Sequence, residues 1–197
     1  MIQSKKDYKL YLKEDRISLG IQAGGFKSQL KELVAPHVIW KFQKTLRKLE
    51  YYHNCKKDIF SKIYTLYLRY KFRKISLKLG FSIPINIFGP GLAIVHYGTI
   101  VINARTKVGK NCRMHACVNI GASGGQSEAP ILGDNVYIAP GAKIYGNIKI
   151  NNNIAIGANA VVNKSFEEDN ILIAGNPAKK IKEIDITKII KRLAKDK

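Results

Sequence analysis

Residues 131–162, ILGDNVYIAPGAKIYGNIKINNNIAIGANAVV, carry an aliphatic side chain at every sixth position: Leu132, Ile138, Ile144, Ile150, Ile156 and Val162. Counting backwards continues the series through Ile120, Met114, Val108 and Ile102, with Gln126 the one interruption. A period of six matches neither the 3.6-residue repeat of a helix nor plain strand alternation, which would not favour every third inward position. Small or aliphatic residues also recur four places after the anchors, at Cys112, Val118, Val136, Ala142, Ile148, Ile154 and Ala160. Each hexad then makes a short strand and a turn, three hexads close a triangular coil, and stacked coils bury the anchors in a column. Glycine, asparagine or aspartate follows many anchors, as at Gly109, Gly121, Gly133 and Asn151, and suits a tight corner. The pattern predicts a mainly β chain: a left-handed parallel β-helix over residues 81–181, an N-terminal α-helical region over 1–80 and a short C-terminal helix over 182–197.

The repeat is interrupted twice. Ile94 and Ile100 are six apart, but Ile102 follows Ile100 by only two, so the turn containing Val95-His96-Tyr97-Gly98-Thr99 holds two extra residues. After Ile120, the run Gly121-Ala122-Ser123-Gly124-Gly125-Gln126-Ser127-Glu128-Ala129-Pro130 has too much glycine and too few anchors for a packed wall, and is expected to protrude. Departures from a repeat are expected where function overrides packing.

The whole chain has 197 residues, 46% of them hydrophobic, which excludes wholesale disorder. Its 34 Lys and Arg against 14 Asp and Glu leave a formal charge of +20. Residues 1–80 carry net +13 and residues 81–197 net +7, so the excess is mainly N-terminal. Between Lys41 and Lys78 two amphipathic helices are expected. One has the stripe Ile39, Phe42, Leu46, Leu49 and His53; the other has Ile59, Ile63, Leu66, Tyr70, Arg73 and Leu77 and stops at Gly80. Their basic faces suit either a solvated cap on the β-helix or contact with an anionic membrane or substrate. No RNP, helix-turn-helix or zinc-finger signature accompanies them, so nucleic acid is not an expected partner. Three cysteines without a C-x-x-C pair point to buried thiols in a reducing compartment. The N-terminus lacks the apolar core of a signal peptide and no run is long enough to span a bilayer, so the expected location is cytoplasmic, with peripheral membrane contact left open.

The sequence resembles the hexapeptide-repeat acyltransferases, in particular the serine acetyltransferase-like branch. The resemblance rests on His96-x-Gly98-Thr99, Val118-Asn119-Ile120-Gly121 with its glycine-rich loop, Pro140-Gly141-Ala142-Lys143-Ile144-x-Gly146-Asn147-Ile148, Ile156-Gly157-Ala158-Asn159-Ala160-Val161-Val162 and Ala174-Gly175-Asn176-Pro177-Ala178-Lys179. It implies a homotrimer, with acetyl-coenzyme A as cosubstrate in the cleft between neighbouring β-helices. Acyl transfer to a hydroxyl also needs a base that works near pH 7, for which imidazole is suited. Of the four histidines, His37 and His53 fall in the helical part. His96 occupies the irregular turn and matches the family's catalytic histidine, which makes it the expected general base. His115 falls one coil higher, at the register of Val95, and is a lesser candidate. The resemblance places the pantetheine arm near Ala142 and Ala158. Backbone N–H groups from Gly121 onward are candidate oxyanion donors. Lys143, Lys164, Lys179 and Lys180 are candidates for the coenzyme phosphates.

Several family positions differ. Apolar residues around Phe81 and Val95 stand where serine acetyltransferases carry aspartates, and Glu128 and Ala129 stand where they carry an Arg-His pair. His96 would then be oriented by a backbone carbonyl or by Glu128. On this reading, and from the basic N-terminal region, the chain resembles acetyltransferases of bacterial surface-glycan synthesis. The expected acceptor is a sugar hydroxyl of a capsule or lipopolysaccharide glycan, with serine O-acetylation or amino-sugar N-acetylation as alternatives. A metal centre is not expected, because two histidines in the repeat fall short of three convergent ligands. The non-enzymatic alternative is a basic, membrane-associated trimeric scaffold.

Overall fold

The computed structural model describes residues 1–21 and 37–195; parts of the expected N-terminal region (22–36) and C-terminal helix (196–197) lie outside them. Among the described residues three helices precede the repeat: α1 (Lys5–Ser18), α2 (Val38–Cys55) and α3 (Ile59–Leu79). Helix α1 lies within the expected N-terminal α-helical region, and Ser4-x-x-Asp7 is its start signal. Ser4 Oγ accepts the Asp7 N–H at 3.0 Å and the Asp7 carboxylate accepts the Gln3 N–H at 3.0 Å. Asp58 caps α3 by accepting from Ser61 N, and Gly80 ends it at φ 76°.

Fourteen short strands follow. All but the last run in three parallel sheets, ordered β1 (Phe81–Ser82), β3 (Ile100–Ile102), β6 (Asn119–Gly121), β9 (Lys143–Tyr145) and β12 (Val161–Val162); β10 (Lys149–Ile150), β7 (Ile131–Leu132) and β4 (Lys107–Val108); and β13 (Ile171–Gly175), β11 (Ala155–Ile156), β8 (Tyr137–Ile138), β5 (Arg113–Met114) and β2 (Ala93–Ile94). Regular coils pair residues 18 apart, as in Lys143↔Val161 and Tyr137↔Ala155. Ala93↔Arg113 spans 20 residues, so the two extra ones fall in the turn that holds His96. Asn119↔Lys143 and Lys107↔Ile131 span 24, which places six extra residues in the loop between β6 (Asn119–Gly121) and β7 (Ile131–Leu132).

The anchors do what their period predicts: the ten from Ile102 to Val162 are at most 5% exposed. They form one apolar cluster that continues into Ile39, Phe42 and Leu46 of α2. The corner chemistry differs in detail from the expectation. Left-handed backbone falls three residues after six of the ten anchors, at Asn111, Cys117, Asn135, Gly141, Asn153 and Asn159. The asparagines also hydrogen-bond up one corner, from Asn111 Nδ2 to Asn135 and from Asn135 Nδ2 to Asn153, at 2.8 Å each. The thiols are not uniformly buried. Cys112 lies in the column, where burial pushes its thiol up to about 12, whereas Cys117 is exposed.

Both ends of the stack differ from an exposed sheet edge. At the top, β13 turns at Asn176-Pro177 into antiparallel β14 (Ala178–Glu183). The expected C-terminal helix is instead the end of this hairpin followed by two 3₁₀ turns, Ile186–Lys188 and Lys191–Lys195. Ile186 and Ile190 pack back on Ala155, a contact too short-range to require a full helix.

At the bottom, buried polar side chains from the helices satisfy the first coil. Arg47 donates to both oxygens of Asp15, to Glu50, and to the carbonyls of Phe88 and Gly89. Asp15 accepts from Gly91 N and Leu92 N, Glu50 from Asn86 N, and Gln43 Nε2 donates to Leu92 O at 2.8 Å. Burial works against the Arg47 charge, but Asp15 and Glu50 outweigh it and hold the guanidinium charged. Removing one member of such a buried set strands the others, at a cost of about 3–5 kcal/mol. Arg47→Ala is therefore expected to lower the urea unfolding free energy by that amount. Arg47→Lys should restore only part of it, because an ammonium cannot reproduce the planar fork.

Candidate active site

His96 sits on a bend held from two sides. Below, the Leu79 carbonyl at the end of α3 accepts Gly98 N at 3.0 Å; above, the Met114 carbonyl accepts Val95 N at 2.9 Å. Gly98 has φ 129°, a backbone that L side chains rarely adopt, and a Cβ there would come within 3.2 Å of Ala116 Cβ. The Gly80 terminus of α3 packs under the same glycine. The irregular hexad is thus a defined bend that projects an exposed imidazole.

The register brings His115 directly above Val95. The His96 and His115 rings lie 5.7 Å apart, and His115 meets Tyr137 edge-on at 5.3 Å. Burial first, then Arg113 and His96, push the His115 imidazole below its ordinary 6.5, which favours its neutral form. The helical region contributes a group that the sequence reading left aside. His37, at the N-terminus of α2, accepts the Trp40 N–H on Nδ1 at 3.2 Å. With Val38, Ile39, Val95, His96 and Tyr97 it surrounds an open hollow of about 270 Å³. That is below the roughly 300–1,000 Å³ of drug-sized sites, so it suits a small acceptor and not a coenzyme. No local signal marks His37: it lies 59 residues from His96 in sequence, and only the packing of α2 on the first coil joins them.

Glu128 is not brought to His96. It lies on the exposed loop, its carboxyl held below the ordinary range by the Ser127 hydroxyl, which donates at 2.9 Å, with a smaller contribution from Arg105. The bend and the loop flank opposite ends of the sheet that contains β3 (Ile100–Ile102) and β6. Gly121 already gives its carbonyl to Gly146 N, whereas Gly124 and Gly125 have open space around them.

The expected coenzyme contacts separate. The Ala142 side chain is inside the column and its carbonyl accepts Asn119 N, so only its N–H, 3.5 Å from the Ala139 carbonyl, is weakly engaged. Ala158 is exposed at a corner. Lys180 is committed to Glu168 and lies 3.8 Å from Glu183, and Lys143 Nζ donates to the corner carbonyls of Cys117 and Gly141. Neither ammonium is spare for a phosphate. Lys179 is exposed and makes no ion pair among the described residues; Lys164 is exposed and lies over the Phe166 ring. Among the described residues no three His, Cys, Asp or Glu side chains converge to hold a metal ion.

Residues 129–164 match the family model described as bacterial transferase hexapeptide (six repeats). The serine acetyltransferase of Staphylococcus aureus strain Mu50 is 44% identical over 79 residues, which are 39% of this chain and 37% of the relative. This chain therefore matches little more than a third of that relative's length. Among solved structures, serine acetyltransferase from Brucella abortus strain S19 in complex with coenzyme A superposes with a TM-score of 0.67 at 23% identity, covering 92% of this chain and 70% of that one. Soybean serine acetyltransferase complexed with serine gives 0.68 at 21%, covering 90% and 70%. These structural likenesses establish a shared fold that includes the helices.

The names overturn one expectation. The relative and the solved structures above are serine acetyltransferases, and nothing in them supports the sugar acceptor, capsule or lipopolysaccharide expected from the substituted positions and the basic helices. The inference failed because losing two polar handles does not say what replaces them.

His115 supplies a test of the site's electrostatics. Its folded value lies below 6.5, so the unfolded chain takes up a proton first as the pH falls. Stability should therefore decline from pH 6.5 down to the folded midpoint, and His115→Gln should remove that part of the decline. In an NMR titration the His115 midpoint should lie below 6.5 and rise partway towards it in His96→Ala or Arg113→Ala.

Proposed function

We propose that this protein is an acetyl-coenzyme A-dependent acetyltransferase that transfers the acetyl group to the hydroxyl of serine, on a left-handed β-helix that acts as a homotrimer. The single observation that carries this reading is the 44% identity to a serine acetyltransferase over 79 residues. The exposed His96 on its buttressed bend supports it from the geometry. His96 takes the serine hydroxyl proton as the oxygen attacks the thioester carbonyl. The tetrahedral intermediate then collapses, the acyl–sulfur bond breaks, and the proton passes from the imidazolium to the leaving thiolate. Backbone N–H groups of the loop at Gly124 and Gly125 are the preferred oxyanion donors, since nothing crowds them.

The acceptor's carboxylate needs a positive partner, which Glu128 and Ala129 do not provide. The N-terminus of α2, with His37, stands beside His96 and supplies donors and the positive end of an 18-residue helix. For the cosubstrate, Ala158 and the Ala142 N–H lie at coil corners where backbone can meet a pantetheine amide, and Lys179 and Lys164 are the ammoniums left for phosphates. The placement of the bend and the loop at opposite ends of one sheet supports a trimer, since a neighbouring copy can set one against the other.

The test is thiol release from acetyl-coenzyme A with L-serine as acceptor. Wild-type protein should turn over, and His96→Ala should lose about 10²–10⁴-fold in kcat, the range for a general base, while retaining coenzyme A binding and assembly state. His37→Ala should chiefly raise KM for serine. Absence of serine turnover by wild-type protein would overturn the acceptor, and an active His96→Ala would overturn the base.

A further inference from the structure

The apolar stripe that the sequence marks on α3 faces solvent and not the core. Helix α3 packs through Leu68, Phe72, Ile75 and Leu79. Its opposite side carries Ile59, Ile63, Leu66, Tyr70 and Leu77, which are 57–72% exposed and recur at spacings of three, four and seven. Five aliphatic or aromatic side chains in a row along a helix about 31 Å long form far more than the scattered apolar exposure of an ordinary surface.

The flanks of this row are basic. Lys62, Arg69 and Arg73 follow one side and Lys74 and Lys78 the other, all exposed, and α3 contains no Asp or Glu. Where α3 leaves α2, Lys56, Lys57, Lys62 and Arg69 line an open hollow of about 440 Å³ with His53, Tyr52 and Leu66. Arg69 lies 3.2 Å from His53 Nδ1, so its guanidinium is held at the mouth. The nearest carboxylate in sequence, Asp58, is occupied in capping α3. Cations beside an apolar row favour one kind of partner. A second copy would bring like charges together, whereas an anionic bilayer offers phosphoryl headgroups to the hollow and acyl chains to the row. Tyr67 and Tyr70 add rings of the kind found at the headgroup level. Among the described residues no helix is long and apolar enough to cross a membrane, so contact through this face is peripheral.

We propose that the outward face of α3, with the basic hollow between α2 and α3, is a docking surface for an anionic phospholipid bilayer, lying in the plane of the interface. This is independent of the acceptor chemistry, because His96 and the hollow around it are built from other residues.

The test is co-sedimentation of the full chain with vesicles of phosphatidylcholine alone and of phosphatidylcholine with an equal part of phosphatidylglycerol. Protein should pellet with the second and not the first, and release as salt rises to about 0.5 M, where screening is severe. The variants Ile63→Glu/Leu66→Glu and Lys62→Glu/Arg69→Glu change only exposed positions. Each should weaken partitioning about tenfold or more, with circular dichroism, light-scattering mass and turnover of soluble serine unchanged. Equal binding to both vesicle types, or full binding by both variants, would overturn the proposal. So would a fall in assembly mass in Ile63→Glu/Leu66→Glu, which would show that another copy covers the face.

Discussion

A parallel coil stack has an open row of backbone N–H and C=O groups at its first turn, and everything else in this molecule depends on how that row is closed. Four buried side chains close it: Asp15 from α1 and Gln43, Arg47 and Glu50 from α2. Unpaired edges are both costly when buried and adhesive when exposed, so this polar seal is as necessary as the aliphatic column above it. Because Arg47 joins both helices and the coil, it sets where α2 lies. With α2 comes His37, at the edge of the His96 hollow.

The proposed chemistry occupies the two places where the coil register is broken. Regular coils advance by 18 residues and expose only edges and corners. The turn with two added residues presents an imidazole, and the loop with six added residues presents open backbone. Neither insertion is loose at its base: Gly98 is tied to Leu79, Val95 to Met114, and Gly121 to Gly146. The repeat thus works as a rigid frame, so a site can be built from residues that do not serve packing.

How much of this was legible follows from the range of the forces involved. The anchors were legible because burial demands an aliphatic side chain at every inward position, and six-residue spacing repeats that demand ten times. His96 was legible as an interruption of the same pattern. The outward stripe of α3 was visible as a stripe, but not its direction, since α3 has a second apolar side formed by Leu68, Phe72, Ile75 and Leu79. Two apolar faces on one helix give the same periodicity whichever is buried. Lys180 and Lys143 looked available in sequence, but their partners Glu168, Cys117 and Gly141 become neighbours only through coil stacking or a corner.

The sequence by itself determined the coil, its period and the two interruptions, one of which holds His96, because each is a local consequence of side-chain size and inward facing. The tertiary structure alone decided which polar groups seal the first coil, which lysines remain unpaired, that His37 stands beside His96 while Glu128 does not, and which side of α3 meets solvent. Those outcomes depend on contacts between residues from two to nearly eighty positions apart, most of them fixed by the docking of whole elements, and no local pattern encodes that geometry.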